Sequence, residues 1–167
     1  MKRIFSICLA ATLAAAPVAE AATRCATAKE RTAMRVRVMQ TELMVAALSC
    51  RAVPGRDFTG QYNAFIQRHG ERLVSHGRVL QSYFQNRYGE DYRKKLDTFI
   101  TALANDASRR SMNSVTFCDE SVQLFQEVMG VDRNGLETWS ERRGAAHPVP
   151  LESCGAEDRE AKTTVVR

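Results

Sequence analysis

The pattern of the first 21 residues indicates which part of the chain forms the mature protein and in which compartment that part folds. Lys2 and Arg3 precede an apolar run over residues 4–16, and a small-x-small tripeptide ends at Ala21. This order of charge, apolar run and small residues is typical of a secretory signal peptide. A membrane-spanning helix needs about 20 apolar residues, so the run is too short to be one. We therefore predict a signal peptide over residues 1–21, in preference to a buried N-terminal helix.

Removal of that segment changes the cysteine count. The full chain of 167 residues has five cysteines and a formal charge of +5. Without Cys8, Lys2, Arg3 and Glu20, the remaining 146 residues have four cysteines and a charge of +4, from 22 basic and 18 acidic residues. An even number of cysteines in an exported chain indicates disulfides. We expect a soluble periplasmic or extracellular protein with no transmembrane segment.

The mature sequence shows the periodicity of helices, and no segment shows the strict alternation of a strand. Thr27 and Glu30 form the pattern of a capping box, which predicts a first helix that ends near Cys50. Asp57 or Thr59 can cap a second helix. The stripe of this helix contains Tyr62, Ile66, Leu73, Leu80 and Tyr83, and Gly89 can end it after Tyr88.

Two further helices follow the same spacing. Glu90 and Asp91 suit the start of the third helix, since acidic groups favour the positive end of the helix dipole. Its stripe contains Tyr92, Leu96, Phe99, Ile100, Leu103 and Ala107. After a polar break over residues 111–114, Thr116 and Asp119 resemble a second capping box. The fourth stripe contains Cys118, Val122, Phe125 and Met129, and Gly130 can end that helix.

These elements predict an all-α fold, an antiparallel bundle of about four helices cross-linked by disulfides. The bundle domain covers residues 22–130. Residues 131–167 form a partly ordered C-terminal tail, in which residues 136–143 can make a short helix anchored by Trp139.

Helix geometry restricts the pairing of the four cysteines. Cys25 and Cys50 lie at opposite ends of the first helix, roughly 35 Å apart at the rise of an α-helix. A disulfide needs Cα atoms within about 7 Å, so these two cannot pair. In an antiparallel bundle the end of helix 1 meets the start of helix 4, so we predict Cys50–Cys118 and, at the other end, Cys25–Cys154. Structural disulfides account for the cysteines better than a redox site does, because the chain has no C-x-x-C motif.

A His-Gly-x-x-Leu-x-Ser pattern occurs twice in succession in helix 2, beginning at His69 and at His76. The spacing of seven puts both histidines on one face, but about 10 Å apart, too far to share a zinc ion. We therefore predict no metal site. We expect two buried or half-buried histidines that hydrogen-bond to other helices, with Gly70 and Gly77 allowing close helix approach. A further hypothesis is that His69 and His76 sense pH or contact a ligand.

Motifs for nucleotide binding and for nucleophilic catalysis are absent, and we predict no cofactor and no catalytic residues. The paired acids Glu90-Asp91 and Asp119-Glu120 lie where helices start, and the helix dipole explains them. The basic residues are not interleaved with aromatic ones as a nucleic-acid stacking surface requires. We therefore expect a solvated basic face and no nucleic-acid partner.

Four segments resemble a family of small exported bacterial proteins with no assigned biochemical role: residues 43–50, 62–65, 103–108 and Phe117-Cys118. The resemblance covers roughly residues 25–130. It implies a helical, exported protein with cysteines at positions 50 and 118, and it implies no catalytic residues.

Three classes of function fit this description. The first is a periplasmic interaction or structural protein with an envelope protein as partner, of unknown oligomeric state. The second is a small hydrolase using His69 or His76, and the third is a carrier of a small apolar ligand between helices. A solid core with an exposed apolar patch would favour the first class. A cleft joining both histidines to a carboxylate would favour the second, and a closed apolar cavity the third.

Overall fold

The computed structural model of the protein describes residues 25–144, and the secondary structure of that part of the chain is helical. Four longer helices and one short helix follow in order, with a 3-10 turn at Gly89–Asp91: α1 Ala28–Ser49, α2 Phe58–Tyr88, α3 Tyr92–Asn113, α4 Phe117–Met129 and α5 Leu136–Gly144. The predicted all-α class is confirmed, and α5 matches the short helix predicted around Trp139.

Capping interactions explain the bounds of α1 and α2. The Thr27 hydroxyl accepts a hydrogen bond from the Glu30 amide at 3.3 Å, and the Glu30 carboxylate accepts one from the Thr27 amide at 2.8 Å. This is the predicted capping box. Asp57, rather than Thr59, caps α2 by accepting a hydrogen bond from the Gly60 amide at 2.8 Å. Gly89 ends α2 with a φ of +54°, which a residue with a Cβ rarely adopts.

The second predicted capping box is wrong. The Thr116 side chain accepts no capping hydrogen bond from a backbone amide of α4, and instead its hydroxyl donates to the Glu120 carboxylate at 2.7 Å. Asp119 is exposed. The predicted polar break is also shorter than expected, because α3 continues to Asn113. Inside that last turn the Ser111 hydroxyl donates to the carbonyl of Ser108 at 2.8 Å.

Helix α1 lies at the centre of the described structure. It contacts each of the other four helices, and ten of its 22 residues are buried. Leu43 is fully buried, and the apolar segment that follows stays largely buried until Leu48, which is 55% exposed. Most of the last two turns of α1 are therefore covered by other helices, and Leu48 and Ser49 are exposed.

Two groups of apolar side chains form the core. The larger surrounds the second half of α1 and includes Leu136 and Trp139 of α5, which are 1% and 3% exposed. The smaller lies at the opposite end of α1 and contains Ala26, Ala33, Met34, Leu80, Tyr83 and Phe84. Residues 136–144 therefore pack as part of the same core as the four longer helices.

The predicted apolar stripe of α3 is the covered face of that helix, whereas the stripe of α4 differs from the one predicted. Of the α3 stripe Ala107 is buried and the other five residues are partly buried, because α3 lies against the outside of the other helices. In α4 the predicted Phe125 is buried, but Cys118 and Val122 are only partly so. The buried face of α4 is rotated by about one residue from the predicted stripe, and its members are Phe117, Ser121, Leu124, Phe125 and Val128.

The predicted disulfide between Cys50 and Cys118 is present, with the two Cα atoms 5.5 Å apart and a separation of 68 positions in sequence. It joins the residue that caps the end of α1 to the first turn of α4. Cys25–Cys154 stays a prediction, because Cys154 lies outside the described residues, as do the predicted signal peptide and the end of the predicted tail. None of the helices within residues 25–144 is long and apolar enough to cross a membrane.

We expect the Cys50→Ala/Cys118→Ala double variant to lose about 4 kcal/mol of unfolding free energy, since the disulfide closes a long loop in the unfolded chain. Urea denaturation of the variant and the wild type measures this loss. A matched control is the alanine double variant of Arg51 and Asp119, the exposed residues next to the two cysteines. Equal midpoints for the cysteine variant and this control would contradict the prediction.

Candidate functional site

His69 lies inside the protein and has no hydrogen-bond partner among residues 25–144. It is 2% exposed, its ring centre lies 5.3 Å from that of Phe65, and neither ring nitrogen hydrogen-bonds to a residue of the described chain. Burial lowers the pKa of His69, and the positive charge of Arg68 adds to this, while Glu137 acts in the opposite direction. The neutral form is therefore favoured at this position.

His76 has a carboxylate partner on another helix. Its Nε2 lies 2.9 Å from Oε1 of Glu137, in the first turn of α5. The same oxygen accepts a hydrogen bond from Arg72 Nη1 at 2.7 Å, and Arg72 Nη2 donates to Asn134 Oδ1 at 2.8 Å. Two residues one helical turn apart on α2 thus hold the start of α5.

The Glu137 carboxylate is kept ionised by these contacts. Burial acts to raise its pKa, but hydrogen bonds from its own backbone amide, from His76 and from Arg72 outweigh burial and set the pKa of Glu137 below its ordinary value. A negative charge at this point stabilises the junction between α2 and α5.

The two histidines therefore lie in different surroundings. The predicted hydrogen bond to another helix is present for His76, whereas for His69 none is found within residues 25–144. The predicted role of the glycines is wrong. Among the described residues, a Cβ at Gly70 would meet nothing within 4 Å, and one at Gly77 would meet only the Arg37 side chain at 3.7 Å. No group of three potential metal ligands occurs among the described residues.

A charged cleft lies between α1, α3, α4 and α5, and sequence reasoning missed it. Glu42, on α1, is 6% exposed and forms a salt bridge with Arg110 of α3, with Oε1 and Nη2 2.5 Å apart. Arg110 also contacts Asp106 through Nε at 3.3 Å. The cleft has a volume of about 310 Å³. One feature of the sequence could have indicated this cleft. Glu42 lies three positions after Met39 and next to Leu43, so an acidic residue occurs on the apolar, buried side of α1.

Exposed apolar side chains gather at the disulfide end of the molecule. Val115 is 98% exposed, Met112 75% and Leu48 55%. Val115 lies three residues before Cys118, and Leu48 two residues before Cys50. The hydroxyls of Ser49 and Ser111, which adjoin Leu48 and Met112, are 3.2 Å apart. We call Leu48, Met112 and Val115 the disulfide-end patch.

Basic and aromatic residues do alternate at the turn between α2 and α3, contrary to the sequence interpretation. The guanidinium carbon of Arg87 lies 5.9 Å from the ring centres of Tyr83 and of Tyr88, and Lys95 Nζ lies 5.8 Å from that of Tyr88. These distances are those of cation–π contacts, so the rings are in contact with the chain's own cations.

We expect the Arg72–Glu137 pair to contribute about 1 kcal/mol of coupling free energy, since it is partly shielded from water and joins two helices. A double-mutant cycle with Arg72→Met and Glu137→Gln measures the coupling. The pair Arg109–Asp106 is the matched control. It has the same 2.7 Å contact but is more exposed, and its coupling should stay below about 0.5 kcal/mol. Equal coupling in the two pairs would contradict the expected effect of shielding.

His69 should make the protein less stable in mild acid. Below its ordinary pKa of 6.5 the unfolded chain binds a proton at residue 69 that the folded chain binds less readily, so the free energy of unfolding falls as the pH falls. Thermal unfolding between about pH 7.5 and about pH 5.5 should show this fall in the wild type and a smaller one in His69→Leu. Glu137 affects stability at lower pH than His69 does. Its pKa is lowered in the folded protein, so its ionised carboxylate stabilises the fold above the ordinary glutamate pKa of 4.5, and this stabilisation is lost as the pH falls below that value. The same pH dependence from pH 7.5 to 5.5 in both proteins would rule out His69 as the cause.

Comparison with known proteins adds no family: none of the family models, curated proteins and solved structures compared with the chain matches it.

Proposed function

We propose that this protein is exported to the bacterial periplasm, where it binds another envelope protein through the disulfide-end patch. The observation that carries this proposal is the exposure of three large apolar side chains near the disulfide end of a helical protein. Exposed apolar patches on a protein surface mark sites of interaction.

The patch lies beside one covalent and one polar link between helices. Leu48 and Val115 lie close to the two half-cystines, and Met112 lies beside the contact between Ser49 and Ser111. Links of this kind restrict the motion of nearby side chains and so reduce the conformational entropy lost on binding. Val74, which is 54% exposed on the middle of α2, lies outside this patch.

The geometry favours an interaction protein over a hydrolase. A hydrolase using His69 or His76 needs a histidine whose free ring nitrogen faces a substrate site. The ring of His69 packs on Phe65 inside the core, and His76 shares the Glu137 oxygen with Arg72. The Glu137 carboxylate therefore acts as a contact between helices rather than as the partner of a general base.

We infer that successive long helices run antiparallel and that Cys25–Cys154 forms a second disulfide at the opposite end. The Cys50–Cys118 link supports the helix order, since it requires the end of α1 and the start of α4 to be neighbours. The hydrogen bond from the Thr59 hydroxyl to the Ala47 carbonyl, at 3.4 Å, brings the start of α2 to the end of α1. An antiparallel arrangement would produce both contacts.

We expect a photo-crosslinking amino acid at position 115 of the oxidised mature protein to give a discrete adduct with an envelope protein. Met112→Glu in the same chain should abolish the adduct, because a charge at the patch must be desolvated on binding. Gel analysis after crosslinking in the envelope fraction measures the adduct.

Val74→Glu is the matched control, since it places the same charge on an exposed apolar residue outside the patch. The control should leave the adduct unchanged. An adduct that survives Met112→Glu, or the absence of any adduct from position 115, would contradict the proposed interaction surface.

A further inference from the structure

The charged cleft beside Glu42 shares no residue with the disulfide-end patch and has the features of a separate small-molecule site. Its apolar wall consists of Met39, Phe117 and Leu124, from two helices. Its volume of about 310 Å³ lies at the small end of the range for ligand pockets. An apolar wall with a few charged groups is the usual composition of such pockets.

Arg110 has donor capacity left in this cleft. Its Nη2 contacts the buried carboxylate of Glu42, and its Nε donates to Asp106. The other terminal nitrogen, Nη1, makes no hydrogen bond to any residue in the described range. Glu42 thus holds the Arg110 guanidinium in the wall of the cleft without using all its donors.

Arg143 lines the same cleft from α5. Its Nε lies 3.0 Å from a Glu127 oxygen, a charge contact outside hydrogen-bond geometry. Neither of its terminal nitrogens hydrogen-bonds to another residue within 25–144. Two guanidinium groups from different helices therefore keep unused donors at one cleft, and a guanidinium is suited to binding a carboxylate through two parallel hydrogen bonds.

The acidic residues of the cleft limit the charge of the ligand. Glu42 is matched by Arg110, but Glu120 also lines the cleft and accepts a hydrogen bond only from the neutral Thr116 hydroxyl among the described residues. A multiply charged anion such as phosphate would be repelled by these two carboxylates. A single negative charge fits the two arginines with less repulsion.

We propose that this cleft binds a small monocarboxylate with an apolar body. The carboxylate accepts hydrogen bonds from the terminal nitrogens of Arg143 and from Arg110 Nη1. The hydrocarbon part lies against Met39, Phe117 and Leu124, where burial of apolar surface contributes to affinity.

Titration of the oxidised mature protein with octanoate, followed by amide chemical shifts and calorimetry, tests the proposal. Octanoate should bind saturably, and octan-1-ol, with the same chain and no charge, should bind at least about tenfold more weakly. Inorganic phosphate should not compete. An absence of saturable octanoate binding up to about 10 mM, or equal binding of the alcohol, would overturn the proposal.

Two variants locate the site. Arg143→Gln should weaken octanoate binding by about tenfold or more, and Gln123→Trp, at an exposed position in the lining, should block the cleft. The matched controls are Arg109→Gln, beside Arg110 but outside the lining, and Gln126→Trp, exposed on the same helix as Gln123. Octanoate affinity unchanged in Arg143→Gln and Gln123→Trp, or weakened equally in the controls, would show that the ligand binds elsewhere and overturn the assignment.

Discussion

The burial of α1 is the constraint on which the other helices depend. Each of them packs against α1, and α2 and α3 also pack against each other. Its residues Ala33, Met34 and Leu43 are fully buried at two different levels along the axis. A charged side chain on the covered part of this helix cannot be fully hydrated, so it needs a partner from a neighbouring helix.

Glu42 is the position where this requirement shapes the structure. Its carboxylate lies in the covered part of α1 and is met by Arg110 from α3. A buried ion pair contributes little net stability, because the desolvation of both groups offsets their attraction. Removal of one partner alone is costly, however, so the pair fixes how α3 lies on α1 more than it stabilises the fold.

The sequence predicts the helices well because their signals are local. The capping box at Thr27, the glycine at position 89 and the spacing of apolar residues act within one or two turns of the chain. The Cys50–Cys118 pairing also follows from helix order, since a disulfide tolerates only a narrow range of distances. Thr116 shows the limit of such signals, because its hydroxyl has both a backbone amide and the nearby Glu120 carboxylate as candidate partners, and the pattern cannot rank them.

The candidate sites are less predictable because their partners come from distant parts of the chain. His69 and His76 have the same local pattern, yet one packs on Phe65 and the other meets Glu137, 61 residues later. The spacing of seven residues places both histidines on one face of α2. It does not show which helix packs against that face at His69 and which packs against it at His76. The same holds for Glu42, whose partner is 68 residues away.

Polar contacts, more than buried apolar side chains, hold helix α3 against the rest of the protein. It has the same 22 residues as α1 but buries only Ala107, and Leu96 and Phe99 are only partly covered by the smaller apolar group. Its last turns are held instead by the Glu42–Arg110 pair and the contact between Ser49 and Ser111. An element with few buried apolar contacts has a low free energy of local opening. Because Arg110 lines the cleft and Met112 belongs to the disulfide-end patch, both proposed binding surfaces use the final turns of this weakly buried helix, and its polar attachments set the geometry of each.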